Sequence, residues 1–223
     1  MNTLAEENYL KSIYHLSIDA GNVSTNQIAA SLNTKASSVT DMLKKLADKA
    51  LINYTRYQGV SLTPSGEKIA VNIIRKHRLW EYFLVEKLKF KWDQVHEMAE
   101  ELEHISSNEL IDRLDKFMDF PKYDPHGDPI PDCNGLFKLH NLKPLSSIGI
   151  DDGGVICGVR DHSKAFLQYL EKQELTIGKS IKVADIIEFD HSMILQTEDK
   201  KIQISREVAN NLLIAIWVPL INL

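Results

Sequence analysis

Apolar residues recur at helical spacing over 5–17, where Leu10, Ile13, Tyr14 and Leu16 share one stripe until Gly21-Asn22 breaks it. Ser24, followed three residues later by Gln27, has the form of a capping box and predicts a helix running to Leu32. After a turn at Asn33-Thr34, Val39, Met42, Leu43 and Leu46 mark the buried stripe of a second helix, from about Lys35 to Ala50. The pattern then alternates: residues 51–63 read as two strand-like runs around Tyr57-Gln58-Gly59, which predicts a hairpin. Thr63-Pro64-Ser65-Gly66-Glu67 restarts a helix, expected from Glu67 to about Leu88. Helix, short turn, helix, hairpin is the order of a winged helix-turn-helix.

Two more helices are expected, from Trp92 to about Ile105 and from Ser107 to Phe117, before a loop in which Pro121, Pro125, Gly127, Pro129 and Pro131 forbid regular structure. Residues 136–150 have weak periodicity and read as a linker. From Val155 the texture changes. A strand over Val155–Val159 and a helix over Ser163–Glu171 are followed by strands over Ser180–Phe189, Ser192–Thr197 and Lys200–Ser205, with Ala215–Val218 closing the sheet. That is a small SH3-like barrel. The expected chain is mainly α with a small β domain: a winged helix-turn-helix over 1–70, a helical domain over 71–135, the linker over 136–150 and the SH3-like domain over 151–223.

Composition narrows the function classes. With 223 residues, 43% hydrophobic and 26% charged, the chain is neither collagen-like, nor a rod, nor wholly disordered. No apolar run reaches the roughly 18 residues of a membrane span; the longest, Leu212–Leu223, is broken by Pro219 and Asn222. Acids appear early at the N-terminus and no apolar leader is visible, and two cysteines make no disulfide framework, so a cytoplasmic setting is expected. The net charge of −5 hides a split. Residues 33–76 carry eight Lys/Arg against three acids, a local +5, whereas 93–119 carry nine acids against Arg113 and Lys116, a local −7. The basic part coincides with the second helix of the helix-turn-helix. Ser37, Ser38 and Thr40 at its start, with Lys35, Lys44 and Lys45, suit base edges and phosphates, and Arg56 at the hairpin tip suits a flanking phosphate or the minor groove.

The acidic part suits a cation. His77 and Glu81 are one turn apart, and His96, Glu100, Glu103 and His104 fall at i, i+4, i+7 and i+8, on one helical face. Carboxylates gathered there would repel and be costly to bury, and a divalent ion supplies the missing charge. The proline-stiffened loop adds Asp124, His126 and Asp128. His96-Glu97-Met98-Ala99-Glu100 resembles a zinc-protease HExxH motif but has Glu100 where the second histidine belongs, and no nucleophile elbow, P-loop or dinucleotide fingerprint is present. Oxygen and imidazole donors without thiolate favour Mn²⁺ over softer ions, although the Irving–Williams order lets Fe²⁺ and Zn²⁺ bind.

The strings His77-Arg78-Leu79-Trp80-Glu81, Trp92-Asp93-Gln94-Val95-His96-Glu97, Glu100-Glu101-Leu102-Glu103-His104 and Asp124-Pro125-His126-Gly127-Asp128-Pro129-Ile130-Pro131 together resemble the DtxR/MntR-type metal-dependent repressors, over nearly the whole chain. The resemblance implies a dimeric, divalent-metal-activated repressor of metal-uptake genes on palindromic operators. It makes the helical domain the metal-binding and dimerisation domain, and the last domain FeoA-like. It implies one metal site from Glu100, Glu103 and His104 with Asn8, where iron-type members have Met and manganese-type members Asp, or with the neighbouring Glu7. It implies a second site from His77 and Glu81, completed by His96 or by the loop pair Asp124 and His126, with Asp161, beside His162, added from the SH3-like domain. The expected ion is Mn²⁺, alternatively Fe²⁺, with Zn²⁺ or Co²⁺ substituting in vitro. The expected partners are double-stranded DNA and a second copy of the chain, with no membrane, no small-molecule substrate and no enzymatic activity. A metal-dependent hydrolase and a metal-binding scaffold without DNA function are the alternatives, and the reading helix disfavours both.

Overall fold

Two capping boxes set the first two helices in the computed structural model, which describes residues 2–55, 59–138 and 141–217, the side chains of 19 and 20 excepted. Helix α1 (Leu4–Ala20) starts on Thr3, whose hydroxyl accepts from the Glu6 amide while the Glu6 carboxylate accepts from the Thr3 amide. Helix α2 (Thr25–Ser31) repeats the device with Ser24 and Gln27, as the sequence predicts. Helix α3 (Ala36–Asp48) follows, and strands β1 (Ile52–Thr55) and β2 (Gly59–Leu62) pair antiparallel with Tyr54 opposite Val60. Arg56 and the hairpin tip lie outside the described residues. Leu10, Ile13, Ile28, Val39, Leu43, Leu46 and Val60 form the core of this winged helix-turn-helix. Lys49, just past α3, reaches back to the buried Glu6 carboxylate at 2.7 Å and ties α3 to α1.

Helix α4 (Pro64–Glu86) enters through a constriction. A side chain at Gly66 would place its Cβ 2.0 Å from the Leu51 carbonyl oxygen, so only glycine allows this approach, and Thr63 caps the turn by accepting from the Gly66 amide. Helix α5 is shorter than expected, His96–Leu102 instead of a start at Trp92. Residues 91–95 turn instead, with Trp92 packed against the core of the C-terminal sheet and Asp93 accepting from Gln168 at 2.8 Å. Burial of the indole there overrides the helical pattern. Helix α6 (Asn108–Phe117) is capped by Ser107 and held by Arg75, whose guanidinium lies 2.8 Å from Asp115.

The chain divides into two compact units: Met1–Trp80 with Ala99–Phe120 and Ile130–Phe137, and Glu81–Met98 with Pro121–Pro129 and Lys138–Leu223. In the second, a six-stranded antiparallel sheet has the order β3-β8-β4-β5-β6-β7, from strands Lys143–Pro144, Leu212–Ile216, Gly153–Val159, Ser180–Ile186, Met193–Gln196 and Lys201–Ile204. Helix α7 (Lys164–Gln173) and the short α8 (Arg206–Asn211) complete it, the latter started by Ser205 and absent from the sequence-based expectation. Leu145, Ile156, Leu167, Leu170, Val183, Leu195 and Ile214 fill its core, so residues at 143–148 within the weakly periodic stretch join the sheet and its interior. The loop over 121–129 rests on β4. The Val159 amide donates to the His126 carbonyl at 3.0 Å, and Gly127, at φ +89°, passes so close that a Cβ would lie 2.0 Å from the Cys157 carbonyl oxygen. The β4–β8 register shifts between Ile156 and Gly158, at the strand residue this glycine meets.

Two outcomes are expected. Gly127→Ala combines a left-handed backbone with overlap against strand backbone and costs about 1–3 kcal/mol or more; an unchanged urea midpoint would refute the close approach. Hydrogen bonding to Lys49 foremost, then to Thr3, holds the Glu6 carboxyl below its usual 4.5. The stability it lends is therefore complete above that value and lost as pH falls through the lowered folded one. Glu6→Gln, which keeps the cap, should cost about 1 kcal/mol near neutral pH, and the gap to the parent should shrink as pH falls below 4.5; a gap independent of pH would contradict this.

Candidate metal centre and nucleic-acid interface

In the second unit, Glu81 from α4, Asp124 and His126 bring one donor atom each within 4.8 Å of one another, and all three residues are buried. The loop holds its donors by its own backbone. The Asp124 carboxylate accepts from the amides of His126 at 2.8 Å and Asp128 at 3.0 Å, and the Asp124 amide donates to the Asp128 carbonyl at 2.9 Å. His126 donates Nε2–H to the Trp92 carbonyl at 2.9 Å, which fixes the ring and leaves Nδ1 toward Glu81. The Glu81 carboxylate lies 3.5 Å from that nitrogen, an ion-pair distance, yet Nδ1 has no hydrogen-bond partner. Burial alone would push the His126 pKa down; the adjacent Glu81 carboxylate, with Asp124 and the Trp92 carbonyl, outweighs it and raises the value to about 9. A buried imidazole nitrogen without a hydrogen bond, facing two carboxylates, is a donor set that fits a divalent cation.

His96, half-exposed at the start of α5, places Nδ1 3.3 Å from the other Glu81 oxygen. The structure thus brings both sequence-derived completions, His96 and the Asp124/His126 loop, to the same carboxylate. Asp161 is placed differently. Its carboxylate accepts from the Ser163 amide at 2.8 Å, in the turn that starts α7, and it is the neighbouring His162 that stacks on His126, ring centroids 4.9 Å apart. His162 also lies 3.9 Å from Asp128.

The first unit holds the other group. Glu103 and His104 lie just past the end of α5 at Leu102. Glu103 is fully buried and accepts from the Lys11 ammonium at 2.7 and 2.8 Å and from His77 Nδ1 at 2.6 Å. Burial opposes its ionisation, but His77 and Lys11 together hold its carboxyl below the usual range. His104 donates to Glu7 at 2.7 Å, so Glu7 on α1 is the partner and Asn8 is exposed. Lys76 donates to the Ile105 carbonyl at 2.8 Å; burial pulls its pKa down, against Glu7 and Glu103. Among the described residues, every group of three close donors includes Glu81 and none includes Glu103 or His104. Lys11 and Lys76 were not picked out from the sequence, since neither is a metal ligand and Lys11 meets Glu103 across 92 positions of chain.

On α3, Lys35, Ser37, Ser38, Lys44 and Lys45 are exposed, while Val39, Leu43 and Leu46 face the core. Lys35 occupies the N-cap without a side-chain hydrogen bond. The Thr40 hydroxyl bonds the Ala36 carbonyl at 3.0 Å, and Lys44 pairs with Asp41 at 3.3 Å.

Residues 1–60 match the iron dependent repressor N-terminal DNA binding domain, 63–132 the iron dependent repressor metal binding and dimerisation domain, and 143–216 the FeoA domain. The transcriptional regulator MntR of Lysinibacillus sphaericus is 31% identical over 142 residues, 64% of this chain and 100% of MntR. The chain belongs to the iron-dependent repressor family, the DtxR/MntR-type regulators. That family is one of DNA-binding transcriptional repressors that depend on a metal and carry a dimerisation domain, and not of enzymes. The iron-dependent repressor IdeR of Mycobacterium tuberculosis is 32% identical over 158 residues, 70% of this chain and 66% of IdeR. Among solved structures, a manganese-dependent transcriptional repressor in complex with manganese superposes with a TM-score of 0.84 at 30% identity, over 94% of this chain and 98% of that one. ScaR with bound Cd²⁺ follows at 0.77 and 32%, over 94% and 98%. The family fold accounts for the N-terminal helix-turn-helix, the helical region and the small β domain read from the sequence. No helix among the described residues is long and apolar enough to cross a membrane.

Proposed function

We propose that this chain is a manganese-activated repressor that binds palindromic operators of metal-uptake genes as a homodimer. The observation that carries the reading is the buried group of Glu81, Asp124 and His126, with its histidine nitrogen lacking a hydrogen bond. Bound there, a divalent cation supplies the positive charge that the buried carboxylates otherwise draw from protonated His126. The chain's own work is to hold the donors ready: the Trp92 carbonyl sets the His126 tautomer, and the loop amides fix Asp124. Two carboxylates and an imidazole without thiolate favour manganese over softer ions, and Cys133 and Cys157 enter none of the donor groups among the described residues. The manganese-bound repressor that this chain resembles supports the same choice.

Helix α3 would enter the major groove, with Ser37, Ser38 and Thr40 near its start and Lys35, Lys44 and Lys45 along its open side. Its uncapped amides suit a phosphate. Arg56 would add a flanking contact. A dimer places two such helices about 34 Å apart, one DNA turn.

Operator binding in a mobility-shift assay should require Mn²⁺ and vanish with EDTA; a shift indifferent to chelator would overturn the reading. Glu81→Gln should abolish Mn²⁺ binding at this centre with unchanged circular dichroism, and an undiminished Mn²⁺ response would remove Glu81 from the site. Lys45→Ala should lower affinity about equally on all sequences and reduce the salt slope by about 1, whereas loss at a single base pair would make it a reader of sequence.

A further inference from the structure

The family resemblance places a metal site at Glu100, Glu103 and His104, and the side chains present there do not fit one. Glu103, with no exposed surface, receives two hydrogen bonds of 2.7 and 2.8 Å from Lys11 and one of 2.6 Å from His77. Lys11 also lies 3.8 Å from Glu100, which is half-exposed. His104 Nδ1 bonds Glu7 at 2.7 Å while its Nε2 lies 3.7 Å from Glu103, and Asn8 is exposed. The one fully buried carboxylate of the set, Glu103, is already met by the Lys11 ammonium and by His77, and the Lys76 ammonium is drawn toward both Glu103 and the part-exposed Glu7. A divalent ion at Glu103 would sit against the Lys11 ammonium and would have to displace that tethered charge from its best acceptor.

We propose that in this chain the Lys11 ammonium stands in permanently for a second metal ion at Glu103, so that manganese enters only at Glu81, Asp124 and His126. The inference rests on the metal reading of that centre and deepens it: the chain has one exchangeable cation and one built-in. Lys11 lies on α1, which packs on α2 and β2 of the winged helix, and Glu103 follows α5. The ammonium therefore ties the DNA-binding half of the first unit to its helical half whatever the metal supply. A lysine is suited to this, as a point charge on a flexible stem with three donors.

The test is Mn²⁺ uptake by the full-length protein, counted from the free-ion electron paramagnetic resonance signal at saturation. The parent should take up about one ion per chain, since one donor set lacks a cation of its own. Glu103→Gln should leave that number unchanged, and Glu81→Gln should abolish it. Lys11→Glu, which exchanges the ammonium for a carboxylate, should raise uptake to about two per chain, with a Mn²⁺-dependent rise in melting temperature larger than the parent's. Two ions bound by the parent, with one lost in Glu103→Gln, would overturn the inference. No uptake by the parent would instead defeat the metal reading of Glu81; the Lys11→Glu variant then decides the inference by itself, supporting it if an ion is gained and refuting it if none is. Should Lys11→Glu fail to fold, the Glu103→Gln count alone decides.

Discussion

A carboxylate that reaches no solvent must be given a cation. Two such groups, Glu81 and Glu103, set the chemistry of the helical region. An ionised carboxylate moved from water into a protein interior costs several kcal/mol unless partnered, and the chain meets the two demands differently. Around Glu103 the answer is tethered: Lys11 from α1 and His77 from α4 converge on its two oxygens. Around Glu81 the partners are imidazoles, His126 at 3.5 Å and His96 at 3.3 Å, neither charged unless it takes up a proton. On the proposed assignment, the site whose counter-charge is a removable proton is the one that exchanges it for a metal, and the one whose counter-charge is an ammonium on a covalent stem is not.

That contrast depends on backbone as much as on side chains. His126 faces Glu81 because the loop carrying it is fastened to β4, and the fastening needs Gly127, the one residue type that tolerates both the positive φ and the contact with the Cys157 carbonyl. The bulge in β4 lies at the same residue. The prolines on either side remove freedom the loop would otherwise lose on ordering its donors, so a segment without regular structure is nevertheless held in place. Asp124 serves twice, as acceptor for two loop amides and as a buried carboxylate within reach of Glu81 and His126.

Much of this was legible in the sequence, and the failures have physical causes. The capping box at Ser24 and Gln27, the stripe Val39–Leu43–Leu46 and the alternation across the hairpin are local signals, and local structure followed them. The histidines and carboxylates proposed to hold a metal stand out in the sequence by residue type, because ligand chemistry restricts the types, whereas the joining of Asp124 and His126 to Glu81 is what the family resemblance implies. The helix expected from Trp92 fails because its indole is claimed by the core of the C-terminal sheet, an interaction no local window contains. The single face expected for His96, Glu100, Glu103 and His104 fails because α5 ends at Leu102. The resemblance implies Asp161, with His162 beside it, but the Asp161 carboxylate accepts from the Ser163 amide in the turn before α7, and the imidazole next to it is the group that stacks on His126. Lys11 carried no signal, since a search for metal ligands passes over the residue that makes a metal unnecessary.

The division between a tethered and an exchangeable cation bears on what such a molecule can sense. A lysine on the same chain acts at an effective concentration no cellular ion approaches, so the contact it makes does not change with metal supply. Only a site whose partner comes from solution reports the concentration of that partner, and only if the ion prefers one state of the protein over another can it shift a population. On the reading proposed above, Lys11 and Glu103 set the rest state of the first unit, and the response to metal is left to Glu81, Asp124 and His126. Substituting a fixed charge for one of two ions would then make activation depend on the first power of metal concentration per subunit, with any steeper response arising from the dimer.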